Sequence, residues 1–215
     1  MSLQEIDLRL ESAGLTGEVA ALVGEAELRR EKFYAAGLGL RYPRYIASDP
    51  AVFHAALRFL EDEGYLRGKV FCEWGSGFGI ATCIAALCGF EAHGIEIEEE
   101  LFDLATGLAS DQGIPVEFLN LSYLPDGYDE SEGVGGKDLI IPEYLNTRDG
   151  SVPRPVYDGL DPDEVDLFYV YPWPGQERMM MDLFREVASP GAVLLMYNGE
   201  GEIAAYLYDE AEEDY

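Results

Sequence analysis

Val70-Phe71-Cys72-Glu73-Trp74-Gly75-Ser76-Gly77-Phe78-Gly79-Ile80 reads as a short buried strand, a glycine turn and the start of a helix. A carboxylate stands two residues ahead of the first glycine, and three glycines then alternate with other residues as G-x-G-x-G. Glycine suits a backbone that must turn with positive φ or let a ligand approach closely. The apolar run Ile80 to Leu87 follows at once, so the amides at the helix start point into the turn and favour an anionic group there.

A second acid extends this pattern. Gly94-Ile95-Glu96-Ile97 reads as the end of another strand, and Glu96 lies about 20 residues past the glycines, where an adjacent parallel strand offers a carboxylate to ribose hydroxyls. The context is therefore nucleoside-binding. The dinucleotide fingerprint G-x-G-x-x-G is not met, because its sixth position is Ile80, and this disfavours a nicotinamide-dependent oxidoreductase. The run from Glu73 to Gly79, followed by Gly-Ile-Glu-Ile, instead resembles the class I S-adenosylmethionine-dependent methyltransferases. The resemblance covers residues 48 to about 198 and is most specific across 70 to 97.

It implies S-adenosyl-L-methionine as cofactor. Glu73, Gly75, Ser76, Gly77, Phe78 and Gly79 would hold its methionine end, with Glu96 and Ile97 at the ribose and Asn120 and Leu121 at the adenine. Tyr42 and Tyr45 are further candidates for contact with the cofactor carboxylate. The implied fold is a Rossmann-like, doubly wound α/β parallel sheet in the order 3-2-1-4-5, truncated after the fifth strand and preceded by helices. The family's usual carboxyl-terminal hairpin is expected to be missing, since the chain ends soon after the fifth strand.

The 215 residues suffice for one sizeable domain, and 48% hydrophobic content supplies a packed core. Formal net charge is -28, from 42 acidic and 14 basic residues. Such a chain is repelled by phosphate backbones and anionic membranes, so neither nucleic acid nor membrane is an expected partner. No apolar run approaches the roughly 20 residues of a membrane span, and no signal pattern opens the chain, so a cytoplasmic location is expected. Cys72, Cys83 and Cys88 have neither the pairing of a disulfide framework nor a nearby histidine for zinc, and are expected in the core, with no metal site.

Residues 1–47 carry apolar positions at helical spacing and are expected to form one or two helices ahead of the main domain. The domain itself is expected over 48–208, with an acidic tail at 209–215. Ser48-Asp49-Pro50 caps a helix, Ala51 to Glu63, that leads into the first strand. After Glu96 a helix opened by Glu98-Glu99-Glu100 closes at Gly113, and Pro115 to Leu119 forms a third strand. Residues 125–164 are an insertion, either a lid over the acceptor or surface decoration. Val165 to Tyr171 is the fourth strand, nearly all apolar as a central strand should be. Ala192 to Tyr197 is the fifth, followed by a short helical stretch near Ala204.

Methyl transfer from a sulfonium needs orientation and a dry pocket more than covalent help, which agrees with the absence of a triad. His54 and His93 are both expected to be structural. Tyr171-Pro172-Trp173-Pro174 stops the fourth strand beside the first, and Tyr171 and Trp173 are the candidate catalytic residues on the acceptor side. The tetrapeptide is similar to the N/D-P-P-Y/F/W signature of amino-group methyltransferases, but Tyr171 replaces its first amide or acid. The expected activity is methyl transfer to a small or protein acceptor. A catalytically inactive binding or regulatory module is the alternative, favoured by the missing hairpin.

Overall fold

The computed structural model describes residues 2–10, 14, 15, 17–43, 45–125 and 155–209, together with the backbone of 129, 130, 139 and 140. In chain order the elements are β1 Ser2–Ile6, α1 Gly17–Ala35, α2 Leu38–Arg41, α3 Pro50–Asp62, β2 Val70–Trp74, α4 Ile80–Leu87, β3 Glu91–Ile95 and α5 Glu99–Gln112. They continue as β4 Glu117–Leu119, β5 Asp129–Glu130, β6 Leu139–Ile140, β7 Leu167–Val170, α6 Glu177–Val187, β8 Val193–Gly199 and β9 Glu202–Asp209. Most of the insertion expected over 125–164 and the tail beyond 209 lie outside the described residues. Within that stretch β6 pairs antiparallel with β5.

Seven strands form the main sheet in the order β1-β9-β8-β7-β2-β3-β4. The five strands from β4 to β8 pair in parallel, whereas β9 runs antiparallel to β8 and β1 antiparallel to β9. Truncation after the fifth strand is thus a misreading. Residues 202–209 form a strand where a helical stretch near Ala204 was expected, and β1 stands where a purely helical extension was expected. Both are explained by position in the sheet. With β8 on one side and β1 on the other, β9 is half-buried on both faces and lacks the simple polar alternation of an exposed strand. The edge of β8 is covered by β9 rather than by the amino-terminal helices.

Alternation along the strands divides the core into two layers. Phe71, Leu167, Tyr169, Val193 and Leu195 face α1, α3, α4 and α5. Cys72, Trp74, Phe168, Val170 and Leu194 face α6 and the segment Tyr157 to Val165. Asp49 caps α3 by accepting hydrogen bonds from the amides of Ala51 and Val52 at 2.8 and 3.3 Å, with Pro50 in the first turn. Cys72 and Cys83 are buried, and burial pushes the Cys83 thiol up to about 12. Among the described residues no cluster of His, Cys, Asp or Glu is suited to a metal ion, and no helix is long and apolar enough to cross a membrane.

Candidate active site

The carboxyl ends of β2, β3, β4 and β7 open into a single cavity of 1080 Å³ at the point where the strand order reverses, between β2 and β7. This is where ligands of open parallel sheets collect, and the volume lies just above the roughly 300–1,000 Å³ typical of small-molecule sites. Its floor is the glycine turn. The amides of Gly75 and Ser76 both donate to the carbonyl of Ile95 at 2.9 Å, which ties the turn to the end of β3.

Each glycine of the turn has positive φ, but their surroundings differ. Gly75 faces the cavity. A Cβ on Gly77 would lie 2.7 Å from the ring of Tyr45, and one on Gly79 would lie 2.3 Å from Phe118 and 3.0 Å from Ala105. Gly79, at the cap of α4, therefore serves close packing against β4 and α5 and does not line the cavity. Tyr45 lies on Gly77 and stacks on Phe78 at 4.8 Å, with Phe33 edge-on to Phe78 at 5.3 Å. The chain leading from α2 to α3, which carries the candidates Tyr42 and Tyr45, thus forms a wall of the site.

Both acids lie buried at strand ends. Oε2 of Glu73 accepts hydrogen bonds from the Thr82 amide at 2.9 Å and the Thr82 hydroxyl at 2.6 Å. Burial outweighs those two bonds and, with the nearby charge of Glu96, pushes the Glu73 carboxyl up to about 8. Glu96 accepts from the Gly77 amide at 2.7 Å and the Glu98 amide at 2.9 Å, one on each oxygen. Its carboxyl is also raised, by burial, against the pull of those amides. A carboxylate has about four lone-pair sites, so both oxygens can still accept from a ligand. Thr82, nine positions after Glu73, was not anticipated, although a hydroxyl in the first turn of the following helix is a natural partner for a strand-end acid.

Asn120 sits elsewhere than expected. Its side-chain nitrogen donates to the carbonyls of Glu96 and Ile97 at 2.9 and 3.2 Å, and neither it nor Leu121 lines the cavity. Ser122, Tyr123 and Leu124 line that side instead, with Ile97 exposed at the rim. Asn120 is committed to holding the backbone beyond β3. Ser76 is buried in the lining, and its hydroxyl has no hydrogen-bond partner among the described residues. On the β7 side Tyr171 and Trp173, both half-buried, line the cavity with Ser48 and Gln176. His93 lies buried between Glu91 and Glu117, away from the cavity, and His54 is on α3.

No protein-family model matches the chain, and no curated protein does. Solved structures do resemble it. An RNA methyltransferase from Salinibacter ruber in complex with S-adenosyl-L-homocysteine is 19% identical with a TM-score of 0.50, the match covering 80% of this chain and 98% of that one. A methyltransferase from Thiobacillus denitrificans, also in complex with S-adenosyl-L-homocysteine, is 17% identical with a TM-score of 0.44, over 74% of this chain and 53% of that one. An S-adenosylmethionine-dependent methyltransferase from Clostridium acetobutylicum is 12% identical with a TM-score of 0.46, over 78% of this chain and 56% of that one. The parallel order about the glycine turn and the likeness to the first of these structures agree: the chain has the fold of the class I S-adenosylmethionine-dependent methyltransferases.

Proposed function

We propose that the protein binds S-adenosylmethionine across the glycine turn and transfers its methyl group to an acceptor held against Tyr171 and Trp173. The observation that carries this reading is the Ser76 hydroxyl, buried in the lining of the cavity that Glu73 and Glu96 also line and without a hydrogen-bond partner among the described residues. A buried hydroxyl without a partner is costly, and a polar ligand at the turn would satisfy it. When bound, the cofactor supplies an electrophilic methyl on a sulfonium. Gly75 admits it to the backbone, Glu73 faces its ammonium end and Glu96 its ribose hydroxyls, while Tyr45 and Leu101 exclude water from the sides. The reading of an inactive module rested on a missing terminal hairpin, and β8 and β9 remove that support. The neighbour from Salinibacter ruber is an RNA methyltransferase. We do not carry that acceptor over, because this chain has a net charge of -28 and Arg41 is the one cation lining the cavity among the described residues.

Calorimetric titration with S-adenosylhomocysteine tests the cofactor half. Glu96→Ala should weaken binding by about 1.5–3 kcal/mol, the loss expected for hydrogen bonds to a charged group. Equal affinity in the wild type and the variant would sink the assignment of the ribose to Glu96. For the acceptor half, Trp173→Ala should lower turnover by about tenfold or more, roughly 1.4 kcal/mol at the transition state, while cofactor affinity stays within about threefold. Tritium transfer to an accepted substrate provides the measurement, and unchanged turnover would remove Trp173 from the site.

A further inference from the structure

The acceptor end of the cavity continues into a recess of 100 Å³ walled by Ile46, Tyr171, Pro172, Trp173 and Pro174. None of these residues is charged. Arg41 is drawn to Glu100 on α5 at 3.0 Å, on the β3 side of the cavity rather than the β7 side. Among the described residues no cation lines the recess, so an anionic group entering it would lose its water without gaining a counter-charge from them, which is strongly unfavourable. Aromatic faces do the opposite for cations, since their negative quadrupole attracts ammonium and guanidinium groups.

The tip of the β8–β9 hairpin stands beside Tyr171, one wall of this recess. The β8–β9 hairpin turns through Glu200 and Gly201, both with positive φ, and a Cβ on the preceding Gly199 would lie 3.2 Å from the Tyr171 hydroxyl. The turn is therefore seated against Tyr171. Two-residue hairpin turns of this kind favour Asn-Gly, since both positions are left-handed. Here Glu200, with φ 51, is the one non-glycine residue with positive φ among those described. It is exposed, and its charge adds to burial and to Tyr197 in raising the Tyr171 phenol.

We propose that Tyr171, Trp173 and Glu200 form a recognition site for a cationic nitrogen group on the acceptor, the rings facing the cation and the Glu200 carboxylate pairing with it at the mouth. This rests on the methyltransferase reading and names its substrate class. It also answers the departure at Tyr171, because the hairpin supplies the acidic oxygens that this position of the tetrapeptide lacks.

Three isosteric probes test the proposal: choline, its neutral analogue 3,3-dimethylbutan-1-ol and the anion 3,3-dimethylbutanoate. Each is titrated by calorimetry and tryptophan fluorescence into the free protein and into protein saturated with S-adenosylhomocysteine. Choline should bind roughly tenfold more tightly than the alcohol, and the anion should not bind. Glu200→Lys should abolish that preference without changing the melting temperature or the affinity for S-adenosylhomocysteine. Equal binding of choline and the alcohol, binding of the anion, no saturable choline binding, or a preference that survives Glu200→Lys would each overturn the site. Failure of S-adenosylhomocysteine to bind would count against the methyltransferase reading instead, and the titrations of the free protein would still decide this one.

Discussion

Gly77→Val should weaken S-adenosylhomocysteine binding by roughly a hundredfold, about 2.7 kcal/mol, and should lower the melting temperature by several degrees as well. Two costs meet at this position. The φ of 54° is strained for any L-residue and worst for a β-branched one. The new Cβ would also stand 2.7 and 2.9 Å from two carbons of the Tyr45 ring, which is stacked on Phe78 and cannot swing away without opening that cluster. If the turn moves instead, the bond from the Gly77 amide to Glu96 is broken, and with it the placement of the carboxylate assigned to the ribose. A valine that met only the ligand would lower binding and leave the domain intact. The structure directs it at Tyr45, so stability and binding should fall together. A double-mutant cycle separates the causes: Gly77→Ala made in a Tyr45→Ala background should cost at least about 1 kcal/mol less stability than the same change in the wild type. Strict additivity would show that Tyr45 is not what the side chain meets.

The centre of the fold was legible because its signals are local. Glu73 to Gly79 must follow a strand and open a helix, and Glu96 must end the next parallel strand, so a stretch of about 20 residues identifies the switch point before any tertiary contact is known. The outer part of the sheet was not legible in the same way. Ser2–Ile6 and Glu202–Asp209 are paired across almost the whole chain, and no window of either sequence contains its partner. The Gly199-Glu200-Gly201 turn was a local signal for a hairpin that the helical reading of Ala204 overrode. In the site, the positive φ expected of the turn glycines is present at Gly75, Gly77 and Gly79. Prediction was poorer where a side chain has two possible partners. Asn120 could serve an adenine or a backbone carbonyl, and only the structure reveals that it bonds to Glu96 and Ile97.

Glu73→Gln should stabilise the ligand-free protein at neutral pH and above, with a gain that grows as pH rises. Burial disfavours the charge of the folded carboxyl and pushes it up to about 8 from its ordinary value of 4.5. Between those two values the folded chain keeps a proton that the unfolded chain gives up, so the wild type loses stability with rising pH across that window. Glutamine has no proton to lose and still offers one oxygen to the amide and hydroxyl of Thr82. The difference between variant and wild type should be near zero below about pH 4.5 and reach a few kcal/mol by about pH 8, as measured by chemical denaturation across that range. Ligand binding reverses the preference. A cofactor ammonium docked at Glu73 favours the carboxylate, so S-adenosylhomocysteine should bind the wild type near neutral pH with release of a proton, seen as a binding heat that varies with the ionisation enthalpy of the buffer. In Glu73→Gln that dependence should vanish and affinity should fall by roughly 1.5–3 kcal/mol. The same residue would then cost the free protein stability and supply the bound one with its charge partner. A stability difference independent of pH would show that Glu73 is ionised in the folded protein, and a buffer-independent binding heat in the wild type would show that the ligand's ammonium does not reach it.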